Sequence, residues 1–308
     1  MKIDALVRDN VKNMSSYSSA RDEYKNGCDE NLIYLDANES PFDNGINRYP
    51  DNKHNDLKTV VSKIKNVNVN QVVFGNGTDE ILDLIVRVFC NPNQDQIITL
   101  PPTYGMYDVI AKTNSVENIE IPLKSDFSID RDKILGLKPS NTKILFLCSP
   151  NNPTGNSFDI NILSDLIKDF KGIVVIDEAY IDFSSQKSLI NLIGKYENLI
   201  ITQTMSKAYG MAGIRLGMGF SNEKIISYIN KIKPPYNINI LTENKALEEL
   251  KKVSEIKSNV NSILNQKEKL ISFLEKLDFV EKIYESDANF ILIKVDNADL
   301  RYNQLLKK

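Results

Sequence analysis

Histidine, cysteine and tryptophan are scarce in this 308-residue sequence, which contains one histidine, three cysteines and no tryptophan. Histidine-based catalytic triads and metal sites would have to use His54 alone, so most hydrolase and metalloenzyme functions are excluded and we expect no metal. His54 lies in the polar stretch DNKHND, and we expect it to be a solvated surface residue. Cys28, Cys90 and Cys148 form no CxxC pair, which indicates reduced thiols, and the apolar neighbours of Cys148 predict that it is buried.

The sequence also has no long apolar run and no large excess of one charge. A formal net charge of -3 provides no general attraction for nucleic acid. The start, MKIDALVRDN, lacks the apolar run of a signal peptide, and the stretch ILDLIVRVFC is interrupted by Asp83 and Arg87. We therefore expect a cytoplasmic protein with no membrane segment and no nucleic-acid partner.

Short apolar strands alternate with helical stretches along most of the chain. The strands are predicted at QVVF, QIITL, KILFLC, GIVVID, LIITQ and RLGMGF. Between the first two strands, TDEILDLIVRVFC places Ile81, Leu84, Ile85 and Val88 on one helical face. Apolar strands separated by helices predict an α/β fold in which a mostly parallel sheet lies between layers of helices.

At 308 residues the chain exceeds the usual size of a single core, so we expect a large domain and a smaller lobe. Residues 1–50 are polar and rich in turn signals, and we expect an N-terminal arm that stays outside the core. Residues 51–237 form the predicted large domain. Residues 238–308 begin with a Lys- and Glu-rich connecting helix, and VEKIYES and ANFILIKV predict two strands of a small α+β lobe.

The segment TMSKAYGMAGIRLG contains the first candidate for chemistry, Lys207, which follows an apolar strand. A lysine amine can form an imine with an aldehyde once it is neutral, and we expect burial to favour the neutral form. Thr204, Ser206 and Arg215 lie close to Lys207 in sequence, and hydroxyl and guanidinium groups suit a phosphate dianion. This spacing indicates an aldehyde ligand that carries a phosphate.

The strand GIVVID ends in Asp177 and Glu178, and Tyr180 follows. A carboxylate beside a pyridine nitrogen keeps that nitrogen protonated, and a protonated ring is a good electron sink. The alternative interpretation is the acidic strand of a nucleotide hydrolase, which would need a GxxxxGK[ST] phosphate loop elsewhere. The single GK dipeptide, Gly194 and Lys195, lacks both the upstream glycine and the Ser or Thr.

The turn SPNNPTG follows the strand KILFLC. Its Asn152 can donate its amide to an oxygen on the ring of a ligand, although an ordinary Asn-Pro turn is the alternative. We predict a cis peptide bond between Asn152 and Pro153, because constrained X-Pro turns recur where a side chain must be aimed.

The glycine turn GNGTDE opens the first strong helix. The backbone N–H groups of Gly77, Thr78 and Asp79 could bind a phosphate at the positive end of the helix dipole. Glu80 stands where a dinucleotide-binding GxGxxG motif requires its last glycine. In the next loop, PPTYGMY, the ring of Tyr104 could stack on a flat cofactor.

With these four loops the chain resembles the fold-type-I pyridoxal-phosphate (PLP) aminotransferases over nearly its whole length. The resemblance implies that Lys207 carries PLP as a Schiff base and moves a proton between the substrate and the cofactor, while Asp177 pairs with the pyridine nitrogen. It also implies how the other residues bind PLP: Tyr180 and Asn152 at the phenolic oxygen, Thr204, Ser206, Arg215, Gly77, Thr78 and Asp79 at the phosphate, and Tyr104 on the ring.

Within that family, the chain is similar to the histidine-pathway branch at LVRDNVKNMSSYSSARDEY, LDANESPFDNGINRYPD, KPPYNIN and SDANFIL. This resemblance implies amino transfer between L-histidinol phosphate and 2-oxoglutarate, giving imidazole-acetol phosphate and glutamate, with Tyr17 facing the substrate. Tyr49, in NRYPD, matches a tyrosine that reaches the partner's cofactor phosphate, which implies a homodimer with residues 1–50 contributing to its contacts. Relatives that act on aromatic amino acids or decarboxylate threonine phosphate share most of these loops and remain alternatives.

The family extends beyond the position of Lys308 with arginines that hold the anionic group of the substrate. We therefore expect the small lobe to be incomplete, and we do not assign the role of these arginines to Arg301. A chain that binds PLP without turnover is the alternative to an active enzyme.

Overall fold

The computed structural model describes residues 2–18, 33–137 and 141–307. The strands in these ranges are β1 Val72–Asn76, β2 Gln96–Thr99, β3 Glu117–Glu120, β4 Thr142–Cys148, β5 Ile173–Asp177, β6 Leu199–Thr204, β7 Leu216–Ser221, β8 Val280–Ile283 and β9 Ile293–Val295. The α-helices are α1 Asp9–Asn13, α2 Asn55–Lys65, α3 Thr78–Phe89, α4 Met106–Thr113, α5 Arg131–Gly136, α6 Ile160–Asp169, α7 Glu223–Ile232, α8 Ile240–Glu249, α9 Val253–Leu274 and α10 Ala298–Leu306. Short 3-10 helices lie at Ile3–Ala5, Val69–Gln71, Ile181–Phe183, Leu189–Leu192, Ala212–Ile214 and Leu250–Lys252.

The central sheet has seven strands in the order β1-β7-β6-β5-β4-β2-β3. The neighbours from β6 to β3 pair in parallel, whereas β7 runs antiparallel to both β6 and β1. The predicted mostly parallel α/β sheet is therefore confirmed. The sequence did not reveal β3, because this edge strand, ENIE, has exposed glutamates at both ends in place of an apolar run.

Both faces of the sheet are covered, which explains why its strands are apolar throughout. In β4, Leu145 and Leu147 pack with residues of α2 and α6 on one face, while Ile144 and Phe146 pack with α3, α4 and α7 on the other. The four residues expected on one face of α3, Ile81, Leu84, Ile85 and Val88, are all buried in this second layer. The alternation of faces along each strand thus builds two apolar layers from one sheet.

The first residues of the chain belong to the core, which corrects the expectation that residues 1–50 stay outside it. Ile3, Val7 and Val11 are buried in the same apolar cluster as α3 and α7. Asp4 accepts hydrogen bonds from Lys224 Nζ and the Tyr228 hydroxyl, each at 2.7 Å. The apolar residues Ile3, Val7 and Val11 recur every four residues, which is typical of a buried helical face. The polar residues between them made this pattern hard to recognise in the sequence.

The end of the described chain forms a separate two-stranded sheet. β8 and β9 pair antiparallel, as VEKIYES and ANFILIKV predicted, with α9 packed against β8 and α10 against β9. The boundaries predicted for the N-terminal arm (1–50), the large domain (51–237) and the small lobe (238–308) stay predictions. Within the described residues, none of the helices combines the length and the apolar composition needed to cross a membrane.

His54 is buried, so the prediction of a solvated surface histidine is wrong. The residue is 1% exposed, and its Nδ1 lies 3.0 Å from Glu243 Oε2 on α8. This partner is distant in sequence, and the polar neighbours of His54 therefore gave no indication of it. Cys148 is buried as predicted, Cys90 is also buried, and Cys28 lies outside the described residues.

The burial of the N-terminal residues generates a test. Replacing Ile3, which is 2% exposed, with alanine should lower the free energy of unfolding by about 2–5 kcal/mol, because it removes buried methyl groups and leaves a cavity. Urea unfolding measures this loss. In the control Ile160→Ala the side chain is 41% exposed and the loss should be clearly smaller. Equal, small effects of both substitutions would contradict the placement of Ile3 in the core.

Candidate active site

Five loops of the central sheet meet at one of its edges: those after β1, β2, β4 and β5, and the single loop that joins β6 to β7. β4, β5 and β6 are parallel, so their carboxyl ends lie at the same edge. Both β1 and β6 run antiparallel to β7, so β1 also ends at this edge and β7 begins there. The topology therefore brings together Gly77, Tyr104, Asn152, Tyr180 and Lys207, which come from five different loops, and Arg215 follows Lys207 in the same loop.

These loops surround a cavity of about 180 Å³. It is lined by every residue predicted for the site except Tyr49 and Tyr17: Gly77, Thr78, Asp79, Tyr104, Asn152, Asp177, Tyr180, Thr204, Ser206, Lys207 and Arg215. Three further residues, Cys148, Ala179 and Ala212, complete the lining. Glu178 points elsewhere and accepts hydrogen bonds from Ser188, Gln203 and the backbone N–H of Leu189.

Lys207 lies in the turn after β6, with buried residues on either side of it. Met205 and Ala208 are 1% and 8% exposed, and they hold the turn against the core. The lysine side chain itself is exposed, and its Nζ lies 5.7 Å from the centre of the Tyr180 ring. This exposure corrects the expectation from the sequence that the Lys207 side chain is buried.

Asp177, at the end of β5, is held in a fully buried position. Its carboxyl group accepts hydrogen bonds from the Tyr107 hydroxyl at 2.9 Å and from Thr202 Oγ1 at 3.0 Å. Burial raises the pKa of Asp177 to about 6, against the lowering effect of these two donors. Burial and the neighbouring Asp177 also raise the pKa of Tyr107 well above its ordinary value.

The sequence patterns gave no indication that Tyr107 and Thr202 contact Asp177. Tyr107 stands three residues after Tyr104 on the first turn of α4, and this helical spacing was the available signal. Thr202 pairs with Asp177 across the parallel ladder of β5 and β6. That pairing became visible only once the strand order was known.

Asn152 and Tyr180 interact directly on one side of the cavity. Asn152 Nδ2 donates a hydrogen bond of 2.9 Å to the Tyr180 hydroxyl oxygen. The pKa of Tyr180 is raised, mainly by burial, and the Asn152 hydrogen bond acts in the opposite direction. The predicted cis bond between Asn152 and Pro153 is confirmed, and Pro101–Pro102 and Ser149–Pro150, which were not predicted, are also cis.

The glycine turn between β1 and α3 forms the other side of the cavity. Gly77 has φ +77°, and a Cβ there would lie 2.6 Å from Arg215 NH2. A Cβ on Gly217 would overlap the backbone of Gly77 and Thr78. Both positions therefore require glycine for the turn to approach Arg215 and β7 this closely.

Donors and charges converge on this turn. The backbone N–H groups of Thr78 and Asp79 belong to the first turn of α3, where they have no intrahelical acceptor. Arg215 NH2 lies 3.7 Å from Asp79 Oδ2, and the Tyr104 hydroxyl donates to Asp79 Oδ1 at 3.0 Å. With the hydroxyls of Thr204 and Ser206 nearby, this donor set suits a phosphate dianion.

The lining as a whole fits a flat ring that bears a phosphate and an aldehyde. A phosphate would be held by the N-terminus of α3 and Arg215, and a ring nitrogen would find the buried carboxyl of Asp177. An aldehyde carbon requires an accessible amine, and Lys207 lines the same cavity.

Tyr49, Tyr17 and Arg301 lie outside the lining. Tyr49 is half exposed and stacks on Tyr236 with ring centres 4.5 Å apart. Tyr17 is 63% exposed. Arg301 NH2 pairs with Asp296 at 2.7 Å, which supports leaving it out of the substrate-binding set.

The chain is similar to a known protein family over most of its length. Residues 35–307 match the family Aminotransferase class I and II. Histidinol-phosphate aminotransferase of Flavobacterium johnsoniae is 55% identical over 306 residues, covering 99% of this chain and 88% of that protein. The solved histidinol-phosphate aminotransferase from Clostridium acetobutylicum has a TM-score of 0.77 at 28% identity, covering 85% of this chain and 79% of that chain. The enzyme of the same name from Sinorhizobium meliloti, solved with pyridoxal-5'-phosphate, has a TM-score of 0.75 at 22% identity, over 83% of this chain and 70% of that chain.

The buried Asp177 should make stability depend on pH. Its pKa is raised from 3.8 to about 6, so the unfolded state releases the proton first and folding stability falls as pH rises from about 4 to about 6. A shift of this size corresponds to roughly 3 kcal/mol. In the ligand-free protein, Asp177→Asn should therefore gain stability relative to wild type by up to that amount between pH 4 and pH 7. Urea unfolding at several pH values measures the difference, and a difference that is constant with pH would contradict the raised pKa.

Proposed function

The chain belongs to the aminotransferase class I and II family, and from this premise we propose that it is a PLP-dependent enzyme acting on L-histidinol phosphate. The amino group would pass to 2-oxoglutarate, giving imidazole-acetol phosphate and glutamate. The observation that carries the proposal is the single cavity that unites Lys207, Asp177 and the phosphate-binding turn. The histidinol-phosphate aminotransferases among the relatives support the substrate, and they do not favour the aromatic or threonine-phosphate alternatives.

Different residues of the cavity would bind the phosphate of PLP and orient its ring. Thr78, Asp79 and Arg215 would hold the phosphate through backbone N–H groups and a guanidinium. Tyr104 lies beside them, and its ring could cover one face of the cofactor, because its hydroxyl is already engaged by Asp79. These contacts would fix the orientation of the ring relative to Lys207.

When bound, PLP supplies an electron sink for the pair of electrons released as the substrate α-carbon loses its proton. Asp177 would keep a proton on the ring nitrogen, and the hydrogen bonds from Tyr107 and Thr202 orient its carboxyl group for this contact. Lys207 Nζ would attach the cofactor and then carry the proton away from the α-carbon. Asn152 and Tyr180 would donate to the phenolic oxygen of the ring from the opposite side of the cavity.

We propose in addition that two copies of the chain form a homodimer in which Tyr49 reaches the cofactor phosphate of the partner. Tyr49 does not line the cavity of its own chain. It lies in a segment that exposes apolar side chains, with Leu35 84% and Phe42 81% exposed, as expected of a surface that a second copy buries. A cytoplasmic location and a role of Tyr17 at the substrate stay predictions from the sequence.

The attachment of PLP to Lys207 can be tested by absorption spectroscopy. Adding PLP to the wild-type protein should produce a visible band that Lys207→Ala abolishes, because the amine that binds the aldehyde is removed. Lys195→Ala, at an exposed lysine outside the cavity, is the matched control and should keep the band. Histidinol phosphate should then discharge the band in a single turnover. A visible band that persists in Lys207→Ala would contradict the attachment of PLP to Lys207.

The shared site can be tested by mixing two variants that are each impaired in a different residue of the site. Lys207→Ala and Tyr49→Ala chains should each be impaired, and a mixed dimer should regain one intact site formed by Lys207 of one chain and Tyr49 of the other. Amino-transfer activity should therefore rise after the two variants are mixed and allowed to exchange subunits. Activity that stays at the average of the separate variants would show that Tyr49 acts within its own chain or not at all.

A further inference from the structure

A group of polar residues behind the phosphate-binding turn joins four parts of the fold without lining the cavity. Its centre is Asn237, in the segment between α7 and α8. Asn237 Nδ2 donates to the backbone oxygen of Phe74 on β1 at 3.0 Å and to Glu80 Oε2 on α3 at 2.9 Å. Its Oδ1 accepts a hydrogen bond of 2.9 Å from Lys233 Nζ. The amide of Asn237 therefore connects the strand before the turn to the helix after it.

Glu80 continues this connection into the turn itself. Its Oε2 also accepts a hydrogen bond from the backbone N–H of Asn76 at 2.5 Å. Gly77, the N-cap residue of α3, has no side chain with which to cap the helix, and the side chain of Glu80 reaches back past it to Asn76. The N–H of Gly77 donates a hydrogen bond of 2.8 Å to the backbone oxygen of Arg215. Those of Thr78 and Asp79 are thereby left as the donors of the turn.

His54 anchors the far side of the group. Its Nε2 lies 3.5 Å from Asn237 Oδ1, while its Nδ1 lies 3.0 Å from Glu243 Oε2. His54 and Glu243 are 1% and 5% exposed, so this contact is held in the interior. The ring of His54 also meets the ring of Phe74 edge to face at 6.2 Å. The single histidine of the chain thus ties the start of α2 to α8 and to β1.

We propose that Glu80, Asn237 and His54 are positioning residues that hold the glycine turn in its phosphate-binding shape. The inference rests on the proposed function, because it assumes that the turn holds the phosphate of PLP. None of the three lines the cavity, so each acts through the turn. The same segment carries Tyr236, which stacks on Tyr49. Asn237 therefore lies between the turn of its own chain and the tyrosine proposed to reach the phosphate of the partner.

The phosphate dependence of binding tests this role. We expect Asn237→Ala to weaken binding of PLP to the dimer roughly tenfold, the size associated with losing a hydrogen bond to a charged group. Binding of pyridoxal, which has the aldehyde and ring but no phosphate, should change less than twofold. Titrations of the visible band with each aldehyde measure both affinities. Glu80→Gln keeps an acceptor oxygen for Asn76 but removes the charge, and it should show a smaller loss with the same selectivity for PLP.

Asn222→Ala is the matched control, because Asn222 also bridges two segments. Its Oδ1 accepts from the backbone N–H groups of Lys224 and Ile225, and its Nδ2 donates to Glu197 O, outside the cavity. It should leave both affinities unchanged. Equal losses of PLP and pyridoxal binding in Asn237→Ala and Glu80→Gln, or no loss in either, would overturn the positioning role. Absence of a Lys207-dependent band in the wild type would instead overturn the proposed function, and this inference with it.

Discussion

Four strands of the central sheet, β1, β4, β5 and β6, end at the same edge because all of them run in one direction. The antiparallel β7 lies between β1 and β6, and the single loop that joins β6 to β7 carries both Lys207 and Arg215. Each strand is buried on both faces, so its register and direction are set by packing that cannot slip without exposing apolar side chains. The site depends on this constraint, since its residues come from loops that share nothing else.

One side of the cavity presents hydrogen-bond donors and positive charge, and the other side presents the carboxyl group of Asp177. The glycine turn, the start of α3 and Arg215 present donors and positive charge, as a phosphate requires. Asp177 is a buried carboxyl group whose pKa is raised by desolvation, and Tyr107 and Thr202 oppose that rise through hydrogen bonds. Burying this group is unfavourable for the ligand-free protein above its pKa, and a protonated ring nitrogen would offset the cost.

Much of the fold and of the cavity lining could be predicted from local patterns. The apolar strands, the face of α3 and the turns around Lys207 and Asn152 each depend on neighbouring residues, which the sequence displays directly. β3 could not be recognised, because an edge strand need not be apolar. The buried N-terminal residues could not be recognised, because polar residues separate the apolar positions Ile3, Val7 and Val11. The roles of the individual cavity residues stay proposals.

The sequence by itself determined the chemistry that the protein could offer: one lysine, one aspartate, an asparagine turn and a glycine turn, each placed after a strand. These signals are local, because a strand, a turn and a helix start are specified by residues close in sequence. The tertiary structure alone decided which distant groups meet them. Tyr107 and Thr202 reach Asp177, His54 reaches Glu243, and Asn237 reaches Glu80 only after the sheet has formed. Such pairings depend on strand order and on the packing of helices against the sheet, which no local pattern records.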